Sequence, residues 1–440
     1  MFRRIYLDNS ATTQIDPEVL AAMMPYLTDK FGNASSIHHF GQETRAAVDK
    51  ARHQVAGLIN ARPNEIVFTS GGTESNNLAI RGLLQRRTDT LVRSSHIITS
   101  AIEHPAVKNV CEDLERNADT PVRMSAKHEV SLAGGARDAD KSVRTPQFSV
   151  TYLPVYENGI VKVEDVEAAL TDDTVLISIM TANNEIGTIQ PVAEIGGMVR
   201  KLRESGRKIW FHTDAVQAVG KMLVDVEEIG CDLLSLSGHK IHAPKGIGAL
   251  YVRRGVRLHP QNIGGRQERE LRGGTEPVAQ IVALGKACEI ADRNLESTSN
   301  KVKALRDSLE TRIGELIPDI TYNGNREHRL PNISNISFRG VEGEGLLINL
   351  DMQGIAVSTG SACSSGSLEP SPIIRALYCG SPHEIRASDA ANDDELARGA
   401  IRFSLGRFNT AADIDRVLGV LPTAVANLRR LAPRPPRSTY

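Results

Sequence analysis

The chain has 440 residues, 40% of them hydrophobic and 24% charged, with 52 Lys and Arg against 53 Asp and Glu. This is globular composition, long enough for two domains with sizeable cores. The apolar runs are strand-sized and charge is spread without a basic stripe or acidic block, so neither a membrane span nor a nucleic-acid or membrane-surface partner is expected.

The N-terminus, MFRRIYLDNSATT, enters strand-like sequence at once and leaves no room for a signal or transit segment. A cytoplasmic location is expected from this. Strands are expected at 66–70, 96–100, 175–180, 208–214, 232–237 and 248–253, where β-branched residues gather. Amphipathic helices are expected between them at Glu18–Leu27, Thr44–Leu58, Glu74–Leu84, Val107–Leu114 and Val192–Glu204. Such alternation predicts an α/β fold with a mainly parallel central sheet covered by helices on both faces. Ligands of such sheets sit at the carboxyl ends of the strands. From about Ala287 the texture changes to a long charged helix reaching about Leu316, a strand at 332–338 and a helix over Glu342–Leu350. The division expected is a large cofactor-binding α/β domain over residues 15–286 and a small α+β domain made of 1–14 and 287–440. Residues 117–148 and 379–394 are polar and aperiodic and read as inserted surface loops, and the tail PRPPRSTY as frayed. The five cysteines, Cys111, Cys231, Cys288, Cys363 and Cys379, include no CxxC pair. That argues for a reducing compartment, against a disulfide framework and against a metal site.

Chemistry-bearing residues follow successive strands. Gly71-Gly72-Thr73 turns from a strand into a helix, with Thr73 as the expected cap, and free N–H groups at a helix start bind phosphate. His104, next, is either a helix-start residue or an imidazole that stacks on a flat ligand and shuttles protons. Asn183 and Asn184 end the following run, as turn residues or as amides orienting a polar substrate. Asp214 ends another: it is a helix cap, or the carboxylate that keeps a pyridine nitrogen protonated, with Gln217 in reach of a phenolic oxygen. Lys240, in Ser237-Gly238-His239-Lys240, is a surface charge or an amine poised for a Schiff base, with Ser237 and His239 as phosphate donors. Cys363 lies among small polar residues, where a thiol is incidental or reactive. Arg402, in an apolar run, needs either an internal ion pair or a substrate carboxylate. Each signal is weak alone, but their gathering after successive strands is improbable by chance.

The segments YLDNSATT (6–13), FTSGGTESNN (68–77), EHPAV (103–107), NNEIG (183–187), HTDAVQAVGK (212–221), SGHKIHAPKGIGALYVR (237–253), LRGGTEPV (271–278), STGSACSSG (358–366) and IRFSLGR (401–407) together resemble the cysteine desulfurases. These are pyridoxal-phosphate (PLP) enzymes of fold type I in the class V aminotransferase group, and the loop resembles their NifS/IscS-like branch. The resemblance implies that Lys240 carries PLP, His104 stacks on it, Asp214 pairs with its pyridine nitrogen, and Gln217 and Asn184 serve its phenolic oxygen and the substrate. It implies that Gly72, Thr73, Ser237 and His239 hold the phosphate. Thr275 would reach the phosphate of a neighbouring subunit's cofactor, hence a homodimer. Arg402 and Asn184 would bind the substrate carboxylate, and Cys363, on a mobile loop at about 355–370, would receive the sulfur. Ala34 stands in FGNASS where the family has proline, and Arg266 and Glu270 occupy an arm where small residues are common.

The implied reaction converts L-cysteine to L-alanine with a persulfide on Cys363, delivered to an acceptor such as an iron–sulfur scaffold or sulfur relay protein. The alternatives are a PLP-dependent aminotransferase or selenocysteine lyase of the same fold, or a catalytically silent relative that acts as a binding partner.

Overall fold

A computed structural model describes residues 4–88, 94–118, 147–359, 370–378 and 390–431. Its strands are β1 (Ile5–Tyr6), β2 (Ile66–Thr69), β3 (Ser94–Ser100), β4 (Gln147–Leu153), β5 (Thr174–Ser178), β6 (Trp210–Asp214), β7 (Leu233–Ser237), β8 (Gly248–Val252), β9 (Ile320–Tyr322), β10 (Ile333–Phe338), β11 (Ile355–Ala356) and β12 (Ala400–Ser404). A seven-stranded sheet runs in the order β2-β8-β7-β6-β5-β3-β4. Its neighbours are parallel except at β8, which is antiparallel to both β2 and β7.

Strands covered on both faces read as continuous apolar runs, and successive residues serve opposite faces. Phe68, Ile98, Ile177, Phe211, Leu234 and Tyr251 point to one core, which the helices His39–Leu58, Val192–Glu204 and Val278–Leu316 cover. Val67, Ile97, Leu176, Leu233 and Leu250 point to the other, beneath helices Gly72–Thr88 and Pro105–Ala118. A separate antiparallel sheet, β12-β10-β9, packs Ile336, Phe338, Ile401 and Phe403 against the far part of helix Val278–Leu316 and against helices Gly343–Met352 and Ala411–Leu431. The chain start joins this second unit, because β1 pairs with β11 and Leu7 is fully buried there. Among the described residues, no helix is long and apolar enough to cross a membrane.

The structure corrects several expectations. The long helix, expected from about Ala287, starts at Val278. The small residues Ala279, Ala283, Gly285 and Ala287 are buried along it, and the charged texture begins only where its surface emerges. Residues 390–394, read as loop, open helix Ala390–Arg398, which Arg375 ties down through Asp394 (2.8 Å). Residues 147 and 148 belong to β4, paired in register with β3, a partner that local composition cannot reveal. The remainder of both inserts, 119–146 and 379–389, lies outside the described residues, as does the tail.

Helices His39–Leu58 and Val278–Leu316 pack closely at Gly285, where a Cβ would fall 2.6 Å from Ala51 Cα. Gly285→Ala is therefore expected to destabilise the protein by about 1–3 kcal/mol, since overpacking forces the two backbones apart. Denaturant unfolding checks this; an unchanged midpoint would show that the contact yields freely.

Candidate active site

Five parallel strands deliver polar residues to one edge. The chain leaves β2 through Gly71, whose φ of +152° suits glycine, into helix Gly72–Thr88. The helix begins at Gly72, so Thr73 sits inside its first turn and does not cap it. The Gly71 carbonyl accepts the first helical bond from Ser75 N (3.1 Å), and Glu74 accepts from Ser70 N (2.7 Å). β3 leads to His104 at the start of helix Pro105–Ala118, β5 to Asn184, β6 ends on Asp214, and β7 ends on Ser237 just before Lys240.

These residues surround one cavity of about 320 Å³, lined by Gly72, Thr73, His104, Asn184, Asp214, Gln217, Ser237, His239, Lys240 and Arg402. Every residue given a role by the family resemblance is thus brought together except two. Thr275 is exposed on the arm and does not line the cavity. Cys363 lies outside the described residues.

Asp214 is buried; its Oδ2 accepts from Asn76 Nδ2 (2.7 Å) and its Oδ1 from Val216 N (3.0 Å). The capping-type contact and the cavity position coexist in one carboxylate. His104 accepts from Ala106 N at Nδ1 (3.1 Å), which leaves its proton on Nε2 when neutral. Burial, then the Lys240 charge, pull its pKa below the usual value against the opposing pull of Asp214. His239 Nδ1 lies 3.2 Å from Thr12 Oγ1, and burial with the nearby lysines pushes its pKa down to about 4, so at neutral pH it is an uncharged hydrogen-bonding group.

Lys240 Nζ donates to the carbonyls of Ser10 and Ala11, the latter at 2.8 Å. Arg402 is buried in β12, where Nη2 pairs with Asp8 Oδ1 (2.7 Å) and Nη1 donates to the Asn184 carbonyl (3.1 Å). The internal ion pair considered for this arginine therefore exists, and it leaves Nε without a partner. Ser10 Oγ, Asn76 Oδ1 and Asn184 Oδ1, on other residues of the cavity wall, are likewise buried and unpartnered. Unpartnered buried polar atoms converging on one space are what a polar ligand would satisfy.

Sequence reasoning assigned no role to Asp8, Ser10, Ala11 or Asn76. Their signal lay in the polar stretches YLDNSATT and TESNN, but nothing local tells which sheet the first would cross to reach. On the arm, Glu268, Arg269 and Glu270 all have positive φ, a costly backbone for such residues. Glu268 holds it in place by a buried bidentate pair with Arg52 (2.7 and 2.8 Å) and by accepting from Phe68 N (3.0 Å), while Arg266 and Glu270 pair in the open. Cys111, Cys231 and Cys288 are buried, and burial raises all three thiols, Cys111 to about 12.

Glu103, fully buried beside His104, accepts from Ser100 Oγ and Met180 N, and burial pushes its pKa up from 4.5 to about 8. Because the folded value exceeds the unfolded one, this group's contribution to stability is complete below about pH 4.5 and is lost as pH rises through 8. Glu103→Gln is expected to remove that decline, so thermal unfolding at pH 5 and pH 8 should differ less in the variant. An equal difference in both proteins would mean that Glu103 ionises freely.

The chain is similar to known proteins over nearly its whole length. The family model for aminotransferase class V matches residues 5–133 and 138–417. A cysteine desulfurase of Trichormus azollae is 48% identical over 429 residues, covering 98% of this chain and 94% of that protein. Among solved structures, a NifS-like protein superposes with a TM-score of 0.77 at 32% identity, covering 98% of this chain and 99% of the other. SspA in complex with cysteine superposes with a TM-score of 0.72 at 34% identity, covering 92% of this chain and all of the other.

Proposed function

This chain belongs to the class V aminotransferase family, in its cysteine desulfurase branch, and from that premise we propose that it moves the sulfur of L-cysteine onto Cys363 as a persulfide and releases L-alanine. The observation that carries the reading is the meeting of Lys240, Asp214 and His104 around one cavity, at the edge where a helix begins with Gly72 and Thr73.

The donor set fits pyridoxal 5'-phosphate. Gly72, Thr73, Ser237 and His239 would hold its phosphate, and a Cβ at residue 72 would meet Val216 Cγ2 at 2.7 Å, so the approach stays open only with glycine. Asp214 would hold a proton on the pyridine nitrogen, His104 would lie against the ring, and Gln217 would donate to the phenolic oxygen. When bound, the cofactor supplies an electron sink for charge that develops at the substrate's alpha carbon. Lys240 would take the alpha proton. Arg402, steadied by Asp8, would bind the substrate carboxylate through its unpartnered Nε, together with the side-chain NH2 of Asn184.

Sulfur transfer needs the Cys363 thiolate. Burial favours the neutral form of His104, which carries its proton on Nε2 and can donate it there. The thiolate attacks the substrate sulfur: the S–S bond forms as the substrate's Cβ–S bond breaks. Its electron pair remains on the three-carbon fragment, which is protonated to alanine. One thiol and one cysteine thus become one persulfide and one alanine, with no outside oxidant or reductant. The persulfide would pass to an acceptor protein such as an iron–sulfur scaffold or a sulfur relay. Exposed Thr275 suits a contact with the cofactor phosphate of a second copy, hence a homodimer. In the proposed division, residues 15–286 hold the cofactor, while 1–14 and 287–440 supply Arg402 and Cys363.

Incubation of the holoenzyme with L-cysteine is expected to add one sulfur to Cys363 by mass spectrometry, with matching alanine. Cys363→Ala should lower alanine formation at least about a hundredfold while leaving bound PLP in place. Alanine formation at the parent rate would overturn the mechanism. Transamination in that variant would favour an aminotransferase, and selective action on selenocysteine a selenocysteine lyase.

A further inference from the structure

Lys221 closes the HTDAVQAVGK segment, seven residues beyond Asp214, and the reaction described above gives it no part. Its Nζ donates to the carbonyl of Gln217 (3.0 Å) and to the side-chain oxygen Oε1 of the same residue (3.0 Å). The amide nitrogen of Gln217 donates in turn to the Ser10 carbonyl (3.0 Å), which also accepts from Lys240 Nζ. Ser299 Oγ pins the Lys221 carbonyl (2.7 Å).

An ammonium has donors only, and a peptide carbonyl accepts only. Gln217 is held between one of each, so both neighbours impose the same orientation on its amide: Oε1 toward Lys221 and Nε2 toward Ser10. Nε2 has a second hydrogen, and Gln217 is buried on the cavity wall. The side chain can therefore only donate to a group in the cavity. An amide free to turn would present its oxygen for part of the time and repel an anionic ring oxygen.

Keeping a cation here is costly. Burial, then the charges of Lys240 and Arg402, push the Lys221 pKa down to about 7. Among the described residues, the Lys221 ammonium hydrogen-bonds only to Gln217, at its carbonyl and at Oε1, so its route to the cavity runs through Gln217.

We propose that Lys221 is a positioning residue that locks the Gln217 amide as a hydrogen-bond donor toward the phenolic oxygen of the bound cofactor. The proposal rests on the pyridoxal-phosphate reading above.

The test is a double-mutant cycle on the holoenzyme with Lys221→Met, Gln217→Leu and the pair, reading the visible absorption band of bound PLP and its dissociation constant. Lys221→Met is expected to shift the band in the direction that Gln217→Leu does and to weaken PLP about five-fold, the scale of one hydrogen bond. The double variant should be no worse than Gln217→Leu alone. Lys221→Arg, which keeps the donor, should restore most of the band. The melting temperature of Lys221→Met should not fall, because the change removes a poorly compensated cation. An unchanged band in Lys221→Met beside a shifted one in Gln217→Leu would overturn the proposal and spare the cofactor assignment, as would additive effects in the double variant. A band unmoved by Gln217→Leu, or absent from the parent protein, would overturn both.

Discussion

A carboxylate, a guanidinium and two ammonium groups converge on one end of the sheet, and each must be answered because burial makes an unpaired charge expensive. The answers come largely from one short stretch. Between β1 and the first helix, the chain crosses from the small sheet to the edge of the large one. On the way Asp8 pairs with Arg402, and the Ser10 and Ala11 carbonyls accept from Lys240. Thr13 N then donates to the His239 carbonyl (2.9 Å). This crossing strap lets a lysine and an arginine from different sheets face the same cavity without neutralising one another's purpose.

The strap also explains why the site can be polar yet ordered. A carbonyl satisfies an ammonium without forming an ion pair, so Lys240 is held but remains available to a stronger partner. Asp214 is treated likewise: an amide and a backbone N–H support it, and among the described residues no cation pairs with it directly. Beyond the Arg402–Asp8 pair at the cavity wall, other strong buried ion pairs stand apart from it, as in Arg52 with Glu268 and Arg329 with Glu310 (2.5 and 2.7 Å). Electrostatic rigidity is thereby placed in the scaffold, while the reacting groups keep unfilled hydrogen-bonding capacity.

Burial, with the nearby lysine charges, sorts the titratable groups at this edge into roles. His104 and His239 are held neutral, which suits proton transfer and hydrogen bonding, while Glu103 tends to keep its proton. The buried thiols Cys111, Cys231 and Cys288 are pushed toward inertness by the same desolvation. A reactive thiol must therefore come from a less enclosed part of the chain.

Much of this was legible in the linear chain. Apolar runs of strand length, each followed by a glycine, histidine, asparagine, aspartate or lysine, are local patterns, and parallel strands carry whatever follows them to a common edge. Hence the grouping of Gly72, His104, Asn184, Asp214 and Lys240 follows from the sequence pattern alone. The partnerships were not legible. Asp8 with Arg402, Asn76 with Asp214, Ser10 with both Gln217 and Lys240, and the packing of Gly285 on Ala51 join residues whose distance along the chain bears no relation to their distance in space. Periodicity reports how a segment meets its own surroundings, while a hydrogen bond between segments exists only once both have been packed into place.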